Sequence, residues 1–250
     1  MTGKIHVGIG GWTYEPWREI FYPKGLPHKN ELEFASRRLS SIEINGTYYS
    51  TFKPASWIKW REETPEGFVF SVKASRYCTN RKELSGAGES VARFIDQGIV
   101  ALQDRLGPIN WQFMATKKFD AEDFEAFLKL LPREVGGLKL RHALEVRHES
   151  FADPRFYDLA RRYQAAIVFA DDEDFPAIDE PTAGFTYARI MRAREEVETG
   201  YTHAELDAWA RRAKAWAKHG DVFLYFIAGA KLRNPAAAEA LIARVGGLPQ

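Results

Sequence analysis

Short apolar runs recur eight times along the chain, and segments with helical periodicity fill most of the gaps between them. The runs cover residues 5–10, 41–45, 68–73, 109–114, 143–147, 166–171, 185–189 and 222–227. Strand and helix that alternate eight times over 250 residues are typical of an α/β protein whose parallel strands close into a barrel. We therefore predict a single (β/α)8 TIM-barrel domain over residues 1–250.

At least six of the predicted strands end in a charged or amide side chain. These residues are Glu43, Asn45, Lys73, Gln112, Glu145, Arg147, Asp171 and Arg189. Alternate residues of a strand point to opposite faces, so bulky apolar residues can face the helices while the polar set, Asp171 included, points into the barrel. The carboxyl ends of the strands line the mouth of a TIM barrel, where its chemistry takes place. We expect these side chains to form one site there.

Helix start signals support the alternation. Asp153 precedes Pro154, which places a capping side chain before a proline at the first helical position, and Asn234 precedes Pro235 in the same way. Thr202 is followed three residues later by a glutamate, the spacing of a capping box. Asp153 and Thr202 fall in gaps between two predicted strands, and Asn234 follows the last predicted strand.

Composition and charge exclude several classes of protein. The net charge of +1 and pI of about 7.8 give no overall electrostatic case for a nucleic-acid or membrane partner. A single cysteine, Cys78, rules out an internal disulfide. The sequence contains no leader-like segment and no apolar stretch approaching about 18 residues, so we expect a cytoplasmic protein without a membrane span. No feature of the sequence specifies an oligomeric state.

Several segments carry a resemblance to a known family. They are Ile-Gly-Gly-Trp-Thr-Tyr at residues 9–14, Glu-Ile-Asn-Gly-Thr at 43–47, Phe-Val-Phe-Ser-Val-Lys at 68–73 and Glu-Val-Arg-His at 145–148. The chain resembles the YecE-like family (domain of unknown function 72) over essentially its whole length. The resemblance implies a TIM barrel and leaves the activity open.

The chain departs from that family's pattern after three strands. Phe113-Met114-Ala115-Thr116 stands where the family usually has Phe-Gln-Leu-Pro, and Arg189-Ile190-Met191-Arg192 where it has Arg-x-His-Gly. Ile227-Ala228 replaces a pair of asparagines after strand eight, and Phe151 replaces a tryptophan. These changes imply an altered mouth near strands four, seven and eight, and with it a different ligand or activity.

The acidic strand ends allow more than one kind of chemistry. Glu43, Glu145, Asp171 and His148 are candidate catalytic groups for proton transfer. The same four could hold a divalent metal, and Glu43 with Glu145 could form a glycosidase-like acid/base pair. We favour a third interpretation, in which the carboxylates pair with Lys73, Arg147 and Arg189, because three acidic residues balance three basic ones. We accordingly expect no cofactor.

The leading functional hypothesis is binding, with hydrolysis as a candidate reaction, of a small anionic or phosphorylated ligand. Lys73, Arg147 and Arg189 would hold the anion. The further candidate ligand-binding residues are Trp12, Tyr14, Asn45, Tyr49, Gln112 and Tyr225. The alternatives are a nucleic-acid-processing or nucleic-acid-binding barrel, in which bases stack on Trp12, Tyr14 and Tyr49, and a non-catalytic ligand-binding protein. For those aromatic residues, packing against the first helices is the competing interpretation.

Overall fold

Eight parallel strands close into a barrel, in agreement with the predicted TIM-barrel fold. The computed structural model describes residues 2–248, so the ends of the predicted 1–250 domain lie outside the described residues. The strands are β1 (Ile5–Gly10), β2 (Ser41–Ile44), β3 (Val69–Lys73), β4 (Leu106–Gln112), β5 (His142–Glu145), β6 (Ala166–Asp171), β7 (Phe185–Ile190) and β8 (Asp221–Phe226). Each pairs with its neighbours in chain order, and β8 returns to β1, with Ile5 opposite Val222. The largest difference from the predicted strand bounds is at β4, which begins at Leu106.

Helices follow seven of the eight strands. They are α1 (Glu31–Ser36), α2 (Pro54–Glu63), α3 (Arg76–Thr79), α4 (Gly88–Asp96), α5 (Ala121–Leu130), α6 (Pro154–Arg162), α7 (His203–Trp216) and α8 (Asn234–Val245). The connection from β6 to β7, residues 172–184, forms no helix. Pro176 and Pro181 interrupt it, and proline removes a backbone donor that a helix needs. A two-stranded hairpin, Glu134–Val135 with Leu138–Lys139, precedes β5.

Two of the three predicted helix starts are confirmed. Asp153 accepts a hydrogen bond from the Arg155 amide at 2.8 Å, and Thr202 and Glu205 form the predicted capping box. The prediction for Asn234 is wrong, because Asn234 is already the first residue of α8. Its amide group donates to the Ala228 carbonyl at 3.3 Å and so ties the helix to the loop before it.

The barrel interior is layered from the amino ends of the strands to the carboxyl ends. His6 stacks on Phe223 near the first end, with ring centroids 5.0 Å apart. The middle layer holds Tyr225, whose hydroxyl lies 2.7 Å from Ser41 Oγ and 2.6 Å from Ser71 Oγ. Strands β1 and β2 approach closely at Gly8, where a Cβ atom would lie 1.8 Å from the Ser41 carbonyl oxygen. The charged residues fill the layer above.

Apolar packing between strands and helices forms the larger core. Trp57, Trp111, Phe124 and Phe127 are among its largest fully buried side chains. No helix within residues 2–248 has both the length and the apolar character needed to cross a bilayer.

Candidate functional site

Arg189 joins two buried carboxylates at the mouth of the barrel. Its Nη1 lies 2.7 Å from Glu145 Oε1, and its Nη2 lies 3.2 Å from Glu43 Oε1. Both glutamates are fully buried, and Arg189 is 3% exposed. Burial alone would lower the pKa of Arg189, but the two carboxylates raise it above its ordinary value. Arg189 is therefore a fixed cation at the centre of the site.

Glu145 accepts hydrogen bonds from four side chains, Arg189 among them. Its Oε1 also accepts hydrogen bonds from Gln112 at 2.8 Å and from Arg147, through Nε at 3.0 Å and Nη2 at 2.7 Å. Asn110 donates to its Oε2 at 2.9 Å. Burial would raise the pKa of Glu145, but Arg189, Arg147 and Lys73 outweigh burial and lower it. Glu145 is thus held as a carboxylate, which does not suit a general acid.

Glu43 is fixed in the same layer from two other strands. The Tyr187 hydroxyl donates to Glu43 Oε2 at 2.5 Å, and Asn110 donates to the same oxygen at 3.3 Å. Burial and the Glu43 charge raise the pKa of Tyr187 well above its ordinary value, so this phenol stays protonated as the donor. Glu43 and Glu145 therefore share Asn110 and Arg189. The predicted pairing of carboxylates with basic residues is found here for Arg147 and Arg189, whereas Lys73 makes no ion pair among residues 2–248.

Lys73 differs from the other charged residues of the site, because no carboxylate among residues 2–248 forms an ion pair with it. Within residues 2–248, its ammonium makes no hydrogen bond or ion pair with another side chain. Its Nζ lies over the Tyr48 ring, 4.5 Å from the centroid. Burial and then the Arg189 charge lower its pKa to about 8, against the opposing effect of Glu43 and Glu145. The neighbouring carboxylates are already committed to other donors.

Asp171 does not belong to this site, and its predicted orientation is wrong. Phe169, on the same face of β6, packs against Trp209 and Trp216 of α7, with centroids 6.1 and 5.5 Å away. Val168 lies inside the barrel instead. Asp171 therefore points outward, where its nearest cation is Arg192 at 3.9 Å. Because its carboxyl group is partly buried, its pKa is raised despite Arg192.

This correction changes the charge of the mouth. The inward set consists of the cations Lys73, Arg147 and Arg189 and the carboxylates Glu43 and Glu145. The predicted balance of three acidic and three basic residues becomes an excess of one positive charge.

His148 caps a short helix beside the site. Its Nδ1 accepts from the Ser150 amide at 3.1 Å and lies 2.9 Å from Ser150 Oγ. His148 directly precedes the single 3₁₀ turn Glu149–Phe151 and occupies its N-cap position. These contacts are those of a helix-capping residue, and proton transfer by His148 stays a prediction.

The predicted aromatic residues separate into two groups. Trp12 packs on Trp60 and Phe70, on the helix side of the barrel wall, with centroids 5.2 and 6.2 Å away. Tyr14 packs on Trp17 at 5.2 Å. Tyr49, in contrast, is 67% exposed. Trp12 and Tyr14 therefore match the competing interpretation, in which they pack against the first helices, and Tyr49 is the most exposed of the three.

Asn45 and Tyr225 lie above and below the charged layer. The Asn45 amide nitrogen would be 2.8 Å from a Cβ at Gly10, next to the Ile227 side chain, so Asn45 and Ile227 fill the space that Gly10 leaves open. Tyr225 is fully buried among serine hydroxyls. The replacement at Ile227 thus puts an apolar side chain in the strand-eight sector of the mouth.

Metal binding by the acidic residues finds no geometric support. Within the part of the chain that the structure describes, no three His, Cys, Asp or Glu side chains lie close enough together to hold a metal ion. Asp171 points away, and His148 contacts Ser150. The two carboxylates that remain together already accept hydrogen bonds from protein donors.

Sequence reasoning missed three contributors to the site. Tyr187 lies on the inner face of β7 two residues before Arg189. This spacing puts the two side chains on the same face of the strand, and it could have identified Tyr187 from the sequence. Asn110 shares a face with Gln112, so parity placed it inside without indicating that it bridges two carboxylates. Phe175, whose ring lies 4.5 Å from Arg147 Cζ, comes from the irregular β6–β7 connection and had no sequence signal.

Fold and site together define a TIM barrel with a buried ion-pair network at its carboxyl-end mouth and, within the described residues, a lysine there that joins no ion pair. The chain belongs to the family described as "Protein of unknown function DUF72", whose model matches residues 6–250. The resemblance to the YecE-like family is thereby confirmed. The protein is similar to UPF0759 protein YunF of Bacillus subtilis, with 25% identity over 201 residues, covering 78% of this chain and 68% of YunF.

Other relatives agree with this assignment. UPF0759 protein YecE of Escherichia coli K12 is 28% identical over 150 residues, covering 59% of this chain and 50% of YecE. A DUF72 family crystal structure from Thermotoga maritima matches with a TM-score of 0.75 at 23% identity, covering 95% of this chain and 96% of that one. One from Enterococcus faecalis matches with a TM-score of 0.77 at 15% identity, covering 98% and 97%. At these identities the two structures support the fold alone.

Proposed function

We propose that the barrel mouth binds a small anionic ligand, such as a phosphate or carboxylate group. The observation that carries this proposal is the excess positive charge of the inward residues, which centres on Lys73, whose ammonium forms no ion pair within the part of the chain that the structure describes. A partly desolvated cation without a partner gains a charge-assisted interaction when an anion arrives. The proposal concerns binding, and it assigns no turnover to the two buried glutamates.

Lys73 and Arg147 are the two cations able to reach such a ligand. The Arg147 side chain is 24% exposed, and its Nη1 makes no hydrogen bond within residues 2–248, while Nε and Nη2 hold Glu145. Arg189 differs, because both of its Nη atoms already donate to carboxylates. We therefore assign Arg189 a supporting role beneath the ligand, with Lys73 and Arg147 in contact with it.

A second candidate, binding of a single-stranded nucleic acid, rests on a separate groove. The groove has a volume of about 500 Å³ and includes the exposed residues Tyr49 and Tyr77 in its lining. Arg76 lies between these tyrosines, with its Cζ 5.9 and 5.4 Å from their ring centroids. Tyrosine and arginine side chains of this kind can stack on bases.

Isothermal titration calorimetry with inorganic phosphate tests the first proposal. We expect binding to the wild-type protein, a marked loss of affinity in Lys73→Met and in Arg147→Ala, and retention in Lys73→Arg. The control is Lys231→Met, because Lys231 also lies over a tyrosine, 4.1 Å from the Tyr14 ring centroid, outside the charged layer. Affinity that is equal in all four variants, or no heat at millimolar phosphate, would contradict the proposal.

The same titration with a short single-stranded oligonucleotide tests the second candidate. Binding that depends on Tyr49 and Tyr77 but not on Lys73 would support the groove as its site. Binding of phosphate alone would leave the groove without a role in recognition.

A further inference from the structure

The amine of Lys73 is placed for covalent chemistry as well as for charge attraction. It extends from the carboxyl end of β3 into the mouth, and its Nζ lies over the Tyr48 ring without a protein acceptor among residues 2–248. An ammonium held by carboxylates keeps its proton, but the nearby carboxylates are occupied by Arg189, Arg147, Asn110 and Tyr187. A lysine that is desolvated and placed next to another cation is the form in which lysine acts as a nucleophile.

We propose that Lys73 forms an imine with a small aldehyde or ketone that carries a carboxylate or phosphate group. This inference deepens the proposed function and rests on it, because the anionic group would be held by Arg147 beside the amine. The neutral amine attacks the carbonyl carbon and forms a C–N bond as the C=O π bond breaks, and one proton of the nitrogen passes to the oxygen, which becomes a hydroxyl group. Loss of that hydroxyl group as water leaves a C=N bond to Lys73, so one carbonyl and one amine give one imine and one water.

The charges around Lys73 support the presence of the neutral amine. Arg189 from β7 and Arg147 after β5 disfavour its ammonium form, and Glu43 from β2 and Glu145 from β5 favour it. Burial is the largest effect, and the resulting pKa of about 8 leaves an appreciable neutral fraction near neutral pH. The imine carries its own positive charge when protonated, and the two carboxylates beneath it would stabilise that charge.

Two features of the mouth suit a ligand of this class. The Nη1 group of Arg147 makes no hydrogen bond within residues 2–248, so it can donate to one oxygen of an anion. The Tyr48 ring lies under the amine, and the Tyr48 hydroxyl accepts a hydrogen bond from Asn80 at 3.0 Å.

Reductive trapping tests the inference. The full-length protein is incubated with pyruvate or with dihydroxyacetone phosphate, reduced with sodium borohydride, digested and mapped by mass spectrometry. We expect a stable adduct at Lys73 in large excess over every other lysine, dependent on borohydride, with labelling that increases as the pH rises through about 8. Preference for one probe over the other distinguishes a carboxylate from a phosphate as the anionic group.

Two variants separate this inference from the proposed function. Lys73→Arg keeps the positive charge but cannot form an imine, so it should retain phosphate binding and lose the adduct. Lys231→Met removes the other lysine over a tyrosine and should label at Lys73 as the wild type does. Labelling of Lys73 no greater than that of exposed lysines such as Lys59 would overturn the imine, even where phosphate binding is intact. An adduct at Lys73 without measurable phosphate binding would support the imine and overturn the anion contact.

Discussion

Glu145 and Arg189 meet across β6 in a pair from which solvent is excluded. Arg189 Nη1 lies 2.7 Å from Glu145 Oε1, and the side chains are 3% and 0% exposed. Ala170 lies opposite Arg189 in the strand register, and its small side chain leaves the space through which the arginine reaches β5. The pair ties β5 to β7, so it contributes to the barrel and to the charge layer of the mouth together.

Removal of Glu145 should be strongly destabilising. In Glu145→Ala, Arg189 and Arg147 lose a shared acceptor, and Arg189 stays buried with only Glu43 as its counter-charge. Breaking a buried pair in this way costs about 3–5 kcal/mol. Urea unfolding followed by circular dichroism measures the loss of unfolding free energy. Glu89→Ala supplies the control, because Glu89 and Arg93 form an exposed pair at 3.6 Å whose loss should cost less than about 1 kcal/mol. Equal effects of the two substitutions would show that Glu145 is solvated in solution.

Strand parity explains why much of the charged layer could be predicted. On β2, β3, β4 and β5, each polar strand end alternates with a bulky apolar residue such as Ile42, Val72 or Trp111, all fully buried against the helices. Period-two alternation therefore placed Glu43, Lys73, Gln112 and Glu145 on the inner face, where the register puts them. Which acidic residue pairs with which cation depends on side-chain reach across the barrel, and parity carries no information on that.

The prediction that Asp171 points into the barrel is wrong because of the sizes of the neighbouring side chains on β6. The barrel interior next to β6 has room for the small side chains of Val168 and Ala170. Phe169 needs the wider space outside the barrel, against Trp209 and Trp216. The bulky residue of β6 thus faces the helices, as in the other strands, and Asp171 shares its face. Parity groups Phe169 with Asp171, but it does not determine which face of the strand points into the barrel.

Asp171→Asn should therefore leave phosphate binding unchanged. Its effect on stability should also be small, within about 1 kcal/mol, because the Arg192 contact at 3.9 Å is a weak one. Partial burial raises the pKa of Asp171, so its ionised form opposes folding at neutral pH, and the asparagine should be neutral or slightly stabilising there. Calorimetric titration and urea unfolding at pH 7 check both expectations. A change in anion affinity in either direction would place Asp171 in the mouth after all.

Tyr225→Phe separates a structural tyrosine from a ligand contact. The buried hydroxyl bridges Ser41 and Ser71, and its loss leaves buried serine groups with fewer partners. We expect a destabilisation of about 1–3 kcal/mol with no change in phosphate affinity. Thermal unfolding and titration calorimetry on the same preparation give the two values. Weaker anion binding with unchanged stability would reverse this assignment.

His148→Ala should behave as the loss of a helix cap. The Ser150 amide loses its acceptor, which typically costs about 1 kcal/mol, and ligand binding should persist. His148→Asn is the matched variant, because asparagine is itself a favourable capping residue and should restore most of the stability. If neither variant loses stability and both lose binding, His148 is a ligand contact.

Lys73 should make the stability of the protein depend on pH in the alkaline range. Its pKa falls from 10.5 in the unfolded chain to about 8 in the folded protein, mainly through burial. Between these two values the unfolded state binds more protons, so the free energy of unfolding contributed by Lys73 rises with pH. Below about pH 8 Lys73 is charged in both states, so folding bears the full free-energy cost of burying the ammonium. Above about pH 10 the lysine is largely neutral in both states, and this cost disappears.

Lys73→Met should accordingly be more stable than the wild type at pH 7, by on the order of 1–2 kcal/mol. This advantage should shrink as the pH approaches about 10, because the wild-type lysine is then neutral when folded. Urea unfolding of both proteins across this range measures the difference. Lys59→Met, on the exposed side of α2, controls for the loss of a lysine charge at the surface, where Lys59 is 61% exposed. A stability difference between Lys73→Met and the wild type that is independent of pH would mean that Lys73 keeps an ordinary, solvated ammonium. Both the anion contact and the imine would then lose their electrostatic basis.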